Sequence, residues 1–272
     1  LRRTVFLWLA AYGLNAMKFL VPLGLGWMPK NLMDELQLQN NANAATFFFL
    51  IGDILHFAAI AYPLLFLVSK LKQYPYWSLA FAIAVVFGSP FVWDVQTGIV
   101  FVDYCMQLIG GHPPEAFFPV FPWLAYPLVG LTAGYFLRQK ETTSVMKKTG
   151  WIGLLLVIVS CMFPPTTEIT EWLPFYRTRP ADTLFHLGAV LVWIALIHWL
   201  SQKTRDNVFF DLLRFCSRNI TSIYIIQWVL ICWGMRLAGY GRQGYGVSVL
   251  LMLAVTVITL LVVKLFNRRY GK

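Results

Sequence analysis

Eight apolar runs dominate the sequence, at roughly 4–24, 46–69, 76–93, 117–137, 149–164, 181–201, 219–237 and 246–266. A bilayer-spanning helix takes about 20 residues, so eight spans would occupy about 160 of the 272 residues and leave the rest for loops and ends. Composition agrees: 58% of the residues are apolar and only 12% are charged, where soluble domains carry about 25% charge. A chain with mean hydropathy +0.64, 11 Trp, 12 Tyr and 22 Phe has too little polar surface to clothe a water-soluble globule. The expected fold is an all-α polytopic transmembrane helix bundle. A soluble enzyme, a secreted disulfide scaffold and a disordered chain are excluded.

The third and fifth runs are short for a full crossing, and Pro90, Pro164 and Pro165 are expected to close them. Tilted, bent or partly re-entrant segments fit such lengths. With neither repeat nor low-complexity tract in view, residues 1–272 read as a single membrane-embedded bundle. The chain starts at Leu1 without a Met, and Arg2 and Arg3 run straight into apolar sequence. That start points to further spans upstream of Leu1.

Orientation follows from the Lys and Arg residues, which collect on the cytoplasmic side of membrane proteins. Alternating the eight spans leaves only Lys18, Lys30, Arg177, Arg179, Arg236 and Arg242 on one side, and the other sixteen of the 22 basic residues on the opposite side. Both ends of the chain are therefore expected in the cytoplasm, with the 94–116 and 165–180 loops outside. The net charge of +10 is explained by this topology and by contact with membrane lipid, and nucleic-acid binding is not expected. The four cysteines show neither CxxC spacing nor a neighbouring His, so neither a metal site nor a disulfide framework is indicated.

Acids concentrate at the outer side: Asp34, Glu35, Asp94, Asp103, Glu115, Glu168, Glu171 and Asp182. A polar outer vestibule and a plain solvated loop surface both account for that bias. More specific is the run Arg177 to His186, where Pro180 suits a helix start and Asp182 and His186, four apart, share one helix face. His186 would lie roughly 7 Å below the outer surface, with the carboxylate placed to hold the imidazole tautomer and raise its basicity. A second pair, Asp53 and His56, falls in the second span, with Asp53 about 10 Å deep. Ionisable groups at such depth must pair, protonate or face water, and they mark functional sites by default. Two such pairs entering from one side would line one cavity, although helix-packing hydrogen bonds would also account for them.

The stretch from Phe117 to Gly134 reads as structural: prolines shape the opening turn, aromatics anchor it at the interface, and Gly130 with Gly134 form a GxxxG packing face. On the cytoplasmic side, Arg214, Arg218 and Asn219 precede the seventh span, and Arg2, Arg3 and Arg138 stand at other inner span ends. Guanidinium forks match phosphate geometry, so Arg218, Asn219, Arg138, Arg2 and Arg3 are candidates to bind the phosphates of a nucleotide-like donor. From the residues alone, plain topology signal and anionic lipid account for them more readily.

Several runs taken together, Leu1 to Pro22, Gly52 to Phe57, Phe118 to Gly134, Arg179 to Trp199 and Ser217 to Trp228, resemble the transmembrane acyltransferase superfamily, above all the bacterial relatives of heparan-alpha-glucosaminide N-acetyltransferase. The resemblance implies ten or eleven spans in a complete chain, a bacterial inner-membrane location, and an acyl-CoA, acetyl-CoA foremost, bound from the cytoplasm. Its acyl group would pass to a saccharide acceptor outside, without a metal. Two departures stand out. The family's first span carries a catalytic His near its outer end that has no counterpart here, and Gln227 occupies the place where the wider superfamily's Tyr-x-x-His-Trp pattern has His. An amide cannot act as a base, so no proton-transfer role passes to Gln227.

The expected function is thus a membrane acyltransferase with His186, Asp182, His56 and Asp53 as candidate catalytic residues. The alternatives are a transporter in which these groups handle protons or substrate, and a non-catalytic accessory subunit of the same fold. Assembly into a homo-oligomer is left open.

Overall fold

A computed structural model describes residues 2–38, 41–93, 95–163, 176, 178–204, 207–241 and 243–269. Helix α1 (Arg2–Asn15) runs through a π-helical turn (Ala16–Leu20) into α2 (Val21–Gly24), followed by α3 (Lys30–Glu35), α4 (Asn41–Leu50), α5 (Ile54–Ser69), α6 (Tyr74–Val92) and α7 (Val100–Gly110). Then come α8 (Val120–Trp123), α9 (Ala125–Gln139), α10 (Thr142–Cys161), α11 (Pro180–Lys203), α12 (Val208–Arg218), α13 (Ile220–Ala238) and α14 (Tyr245–Arg269). The described residues contain no strand. Among the described residues, seven helical stretches are long and apolar enough to cross a membrane, and the protein is an all-α integral membrane protein.

Seven of the eight expected spans have such a stretch, the fourth with a kink at Phe121 where α8 precedes α9, and the second does not. It breaks at Ile51–Asp53 into α4 and α5. Gly52 there forms an isolated parallel bridge with Ala116, its N–H donating to the Glu115 carbonyl at 2.7 Å and its own carbonyl accepting from the Phe117 N–H at 2.9 Å. A Cβ on Gly52 would stand 2.9 Å from Leu108 Cδ2 and 3.2 Å from Ala116 Cβ, so a larger residue here would have to displace the Leu108 side chain. Hydropathy hid the break because apolar residues flank the Gly52–Asp53 step on both sides. Irregular backbone at membrane depth is tolerated only where protein or water satisfies it, and the 115–117 loop does so here.

Two other expectations are corrected. Pro90 lies inside α6 rather than closing it. The fifth span is not short: α10 begins at Thr142 and takes Lys147 and Lys148 into its first turns. Pro164 and Pro165 fall outside the described residues, as do Asp94, Glu168, Glu171, Arg177 and Arg242.

The chain forms two compact units, one of Leu1–Leu9 with Ile51–Arg205, the other of Ala10–Leu50 with Asp206–Lys272. In the first, Ala61, Ala82, Val85, Val86, Val120, Leu124, Ala125 and Leu128 form the core between α5, α6 and α8–α9. Buried hydroxyls tie α6 to α9: Ser78 donates to the Leu128 carbonyl at 2.7 Å, and Thr132 to that of Pro75 at 2.9 Å. In lipid such interhelical bonds contribute on the order of 0.6 kcal/mol each.

The close backbone approach lies between α10 and α11, at Gly153 and Gly188. A Cβ built on Gly188 would meet the Gly153 carbonyl oxygen at 2.6 Å, and one on Gly153 the Gly188 oxygen at 2.7 Å. Gly130 and Gly134, expected as the packing face, meet nothing within 4 Å. The GxxxG spacing identified the right kind of contact on the wrong helix.

In the second unit the π-turn inserts an extra residue into the first span. Lys18 within it is 3% exposed, its Nζ lying 4.9 Å from the Phe19 ring centroid and 5.3 Å from that of Trp228. Trp233 Nε1 donates to the Met17 carbonyl at 2.8 Å, and Asn15 Nδ2 to the Phe49 carbonyl at 2.9 Å. These contacts tie the first span to α13 and α4.

Candidate functional site

Both Asp/His pairs belong to the first unit. Asp53 is the N-cap of α5: its Oδ1 accepts from the Ile54 N–H at 2.6 Å, and its side chain also accepts from the N3 backbone. His56, at N3, closes the capping box, its Nδ1 accepting from the Asp53 N–H at 3.2 Å. The cap exists because the second span is broken, which creates a helix start with orphan N–H groups in mid-sequence. With Nδ1 accepting, a neutral His56 ring carries its proton on Nε2, so it can donate but is not poised as a base. His56 is fully buried, and its ring meets Trp8 edge-on at 5.6 Å.

A residue that sequence reasoning missed sits beside Asp53. The Tyr176 hydroxyl is held above the usual phenol range by burial first and by the Asp53 carboxylate second. The Tyr176 carbonyl accepts from Trp123 Nε1 at 2.9 Å, and its ring meets Phe117 and Phe118 edge-on at 5.1 and 5.5 Å. The aromatic segment after Ala116, read above as an interfacial anchor, thus walls in the broken end of α5. No sequence signal marks Tyr176, which lies in a loop of no evident periodicity.

Two residues beyond Tyr176, Thr178 is buried and its hydroxyl meets that of Thr183 at 2.7 Å. Thr183 Oγ1 also donates to the Arg179 carbonyl at 3.0 Å, so the first turn of α11 is held by side-chain hydroxyls. Asp182 and His186 are half-buried on this helix, four residues apart. The Asp53–His56 cap, Tyr176 and the start of α11 thus belong to one unit, in which Asp53 acts electrostatically on Tyr176.

The candidate donor-binding residues divide between the units. Arg218 and Asn219 line a cavity of about 470 Å³ in the second unit, together with Asp211, Arg214, Phe215 and Asn267. Arg214 pairs with Asp211 at 2.7 Å, and Asn267 Nδ2 donates to Asn219 Oδ1 at 3.0 Å. Asn267 was not foreseen, being distant in sequence and inside a run of span-end cations. Arg2, Arg3 and Arg138 belong to the first unit and are exposed, and the Arg3 guanidinium lies 5.5 Å from the Tyr62 ring centroid. Among the described residues, no three His, Cys, Asp or Glu side chains gather as a metal set.

Residues 36–163 match the family described as heparan-alpha-glucosaminide N-acetyltransferase, catalytic. Over this stretch the chain is similar to the transmembrane acetyltransferases related to that enzyme, and the resemblance read from the sequence is borne out. The match includes Asp53, His56 and the 115–134 segment, and it ends before α11. No curated protein and no solved structure matches the chain.

Proposed function

We propose that the protein is a membrane acyltransferase that moves an acetyl or other small acyl group from cytoplasmic acyl-CoA to a saccharide hydroxyl or amine on the extracytoplasmic side. The family match over residues 36–163 carries this reading. In it, the acceptor's oxygen or nitrogen bonds to the acyl carbon as the carbon–sulfur bond breaks. His186 takes the acceptor's proton and returns it to the departing CoA thiolate, while Asp182 holds the imidazole. His56, with its proton on Nε2, donates a hydrogen bond rather than accepting a proton. Asp53 fixes His56 and the start of α5. The CoA phosphates are bound by Arg218, Asn219 and Asn267, with Arg214 shared between phosphate and Asp211. Arg138, Arg2 and Arg3 are further basic groups on the donor's side. The setting is a bacterial inner membrane with both ends of the chain cytoplasmic.

The test is transfer from radiolabelled acetyl-CoA to an aminosugar by the full chain in vesicles, with calorimetry of CoA binding alongside. Transfer that depends on His186 while His186→Ala retains CoA binding supports the reading. A protein that binds no CoA is not an acyltransferase. The broken second span favours the transporter as second reading, because discontinuous helices line substrate sites in transporters. Labelled-sugar uptake without acyl transfer would establish it.

A further inference from the structure

Helix α12 is too short to span a membrane, and none of its residues is buried. At about 100° per residue, Val208, Phe209, Leu212, Leu213, Phe215 and Cys216 fall within an arc of roughly 160°, while Asp211, Arg214, Ser217 and Arg218 occupy the opposite side with Phe210 among them. The apolar arc faces outward: Val208 is 84% exposed, Phe209 61%, Leu212 44% and Leu213 45%. Four large apolar side chains on one turn-and-a-half of helix would be costly to leave in water, at about 25 cal/mol per Å².

The height of α12 is fixed by its neighbours within the same unit. Only Asn219 separates it from α13, a span-length helix. Asn219 Nδ2 donates back to the Phe215 carbonyl at 2.8 Å, and Asn219 Oδ1 accepts from Asn267 near the end of α14. Lys264 and Arg268 crowd that end of α14, which marks the cationic membrane boundary. The helix is thus pinned where one span starts and another finishes, with its oily side uncovered and its basic side toward the arginine-lined cavity.

We propose that α12 is an in-plane membrane anchor, whose Val208–Phe209–Leu212–Leu213 face sinks into the acyl layer of the leaflet at which α13 begins, while Arg214 and Arg218 stay in the headgroup region. An amphipathic helix with one strongly polar face and a large apolar face behaves in this way, and long basic side chains reach up to the aqueous edge. The occupant of the apolar face is the bilayer itself. The lipid then fixes the depth and tilt of the two arginines that line the cavity, whatever ligand that cavity takes, so the inference stands apart from the acyltransferase reading.

Nitroxides attached at Leu212→Cys and, separately, at Ser217→Cys test it in the full chain reconstituted into vesicles of phosphatidylethanolamine and phosphatidylglycerol, with the four native cysteines replaced. The expected result is relaxation of the residue-212 probe dominated by oxygen, and of the residue-217 probe by a water-soluble nickel complex. Equal access of the nickel complex to both, or protection of residue 212 from both reagents by a covering protein surface, would overturn the proposal. Hydrogen exchange of the 208–218 segment in the cysteine-intact chain supplies an independent reading. Leu212→Glu with Leu213→Glu should speed exchange there at least tenfold in vesicles, and unchanged exchange would count against the anchor.

Discussion

Adding one methyl group at Gly188 should separate α10 from α11. The new Cβ would stand 2.6 Å from the Gly153 carbonyl oxygen and 3.0 Å from both Leu156 Cβ and Val157 Cγ2. Backbone cannot rotate away as a flexible side chain does, so relief requires the helices to part by about half an ångström, a gap that forfeits a quarter or more of each dispersion contact along the crossing. Overpacking of this kind costs about 1–3 kcal/mol. Against it, Ala favours a helix over Gly by about 1 kcal/mol, which leaves Gly188→Ala roughly 0–2 kcal/mol less stable. The same substitution at Gly130 or Gly134 meets nothing within 4 Å and should be neutral or stabilising by up to about 1 kcal/mol. The readout is therefore the difference between the two sets, measured by reversible unfolding in detergent micelles. Gly153→Ala combined with Gly188→Ala should cost less than the sum of the singles, because the first methyl already opens the crossing. Equal stability of Gly188→Ala and Gly130→Ala would refute the reasoning.

Arg218→Ala should weaken CoA binding roughly tenfold or more, since charge-assisted contacts contribute about 1.5–3 kcal/mol each, and calorimetry at two salt concentrations should show affinity falling with salt. His186→Ala or Asp182→Asn should lower acyl transfer by about a hundredfold with CoA binding intact; full activity in either variant would reduce the pair to helix packing. At Asp103, hydrogen bonds from the Thr97 N–H and hydroxyl, and from the Gly98 N–H, hold the carboxyl below its ordinary value of 3.8. A depressed carboxylate stabilises its loop above the unfolded-state value and loses that contribution as pH falls through the folded one. Amide exchange at Thr97 and Gly98 should accordingly rise only below about pH 4. In Asp103→Asn it should be fast at every pH, and a pH-independent wild-type loop would show that the carboxylate does not hold it.

Hydropathy made the spans legible, because transfer to lipid is a property of composition over about 20 residues. It could not show the break at Gly52, since an average over a whole span hardly registers the single Gly52–Asp53 step, and the backbone partner Ala116 is distant in sequence. The Asp182–His186 pair was legible because four-residue spacing on a helix guarantees a shared face. The Asp53–His56 pair was legible as a pair but not as a cap: its role follows from the break. Tyr176 and Asn267 were not legible, since their partners Asp53 and Asn219 come from distant segments, and single-sequence periodicity carries no such information. Among the candidate phosphate-binding groups, a count of charges near span ends drew Arg2, Arg3 and Arg138 into one list with Arg218, although they belong to a different compact unit.

The cation over two rings in the first span bears on how the protein is made. A lysine within a span is costly to insert alone, by about 2.5–3.5 kcal/mol at the bilayer centre. Lys18 finds one of its two aromatic faces on Trp228, and the neighbouring Met17 carbonyl waits for Trp233, 216 residues further along the chain. At about 5–20 residues per second, the ribosome delivers those partners roughly 10–45 s after the first span emerges. During that interval the span must keep Lys18 near water, shallow or tilted, and it can settle to its final depth only once α13 has joined it.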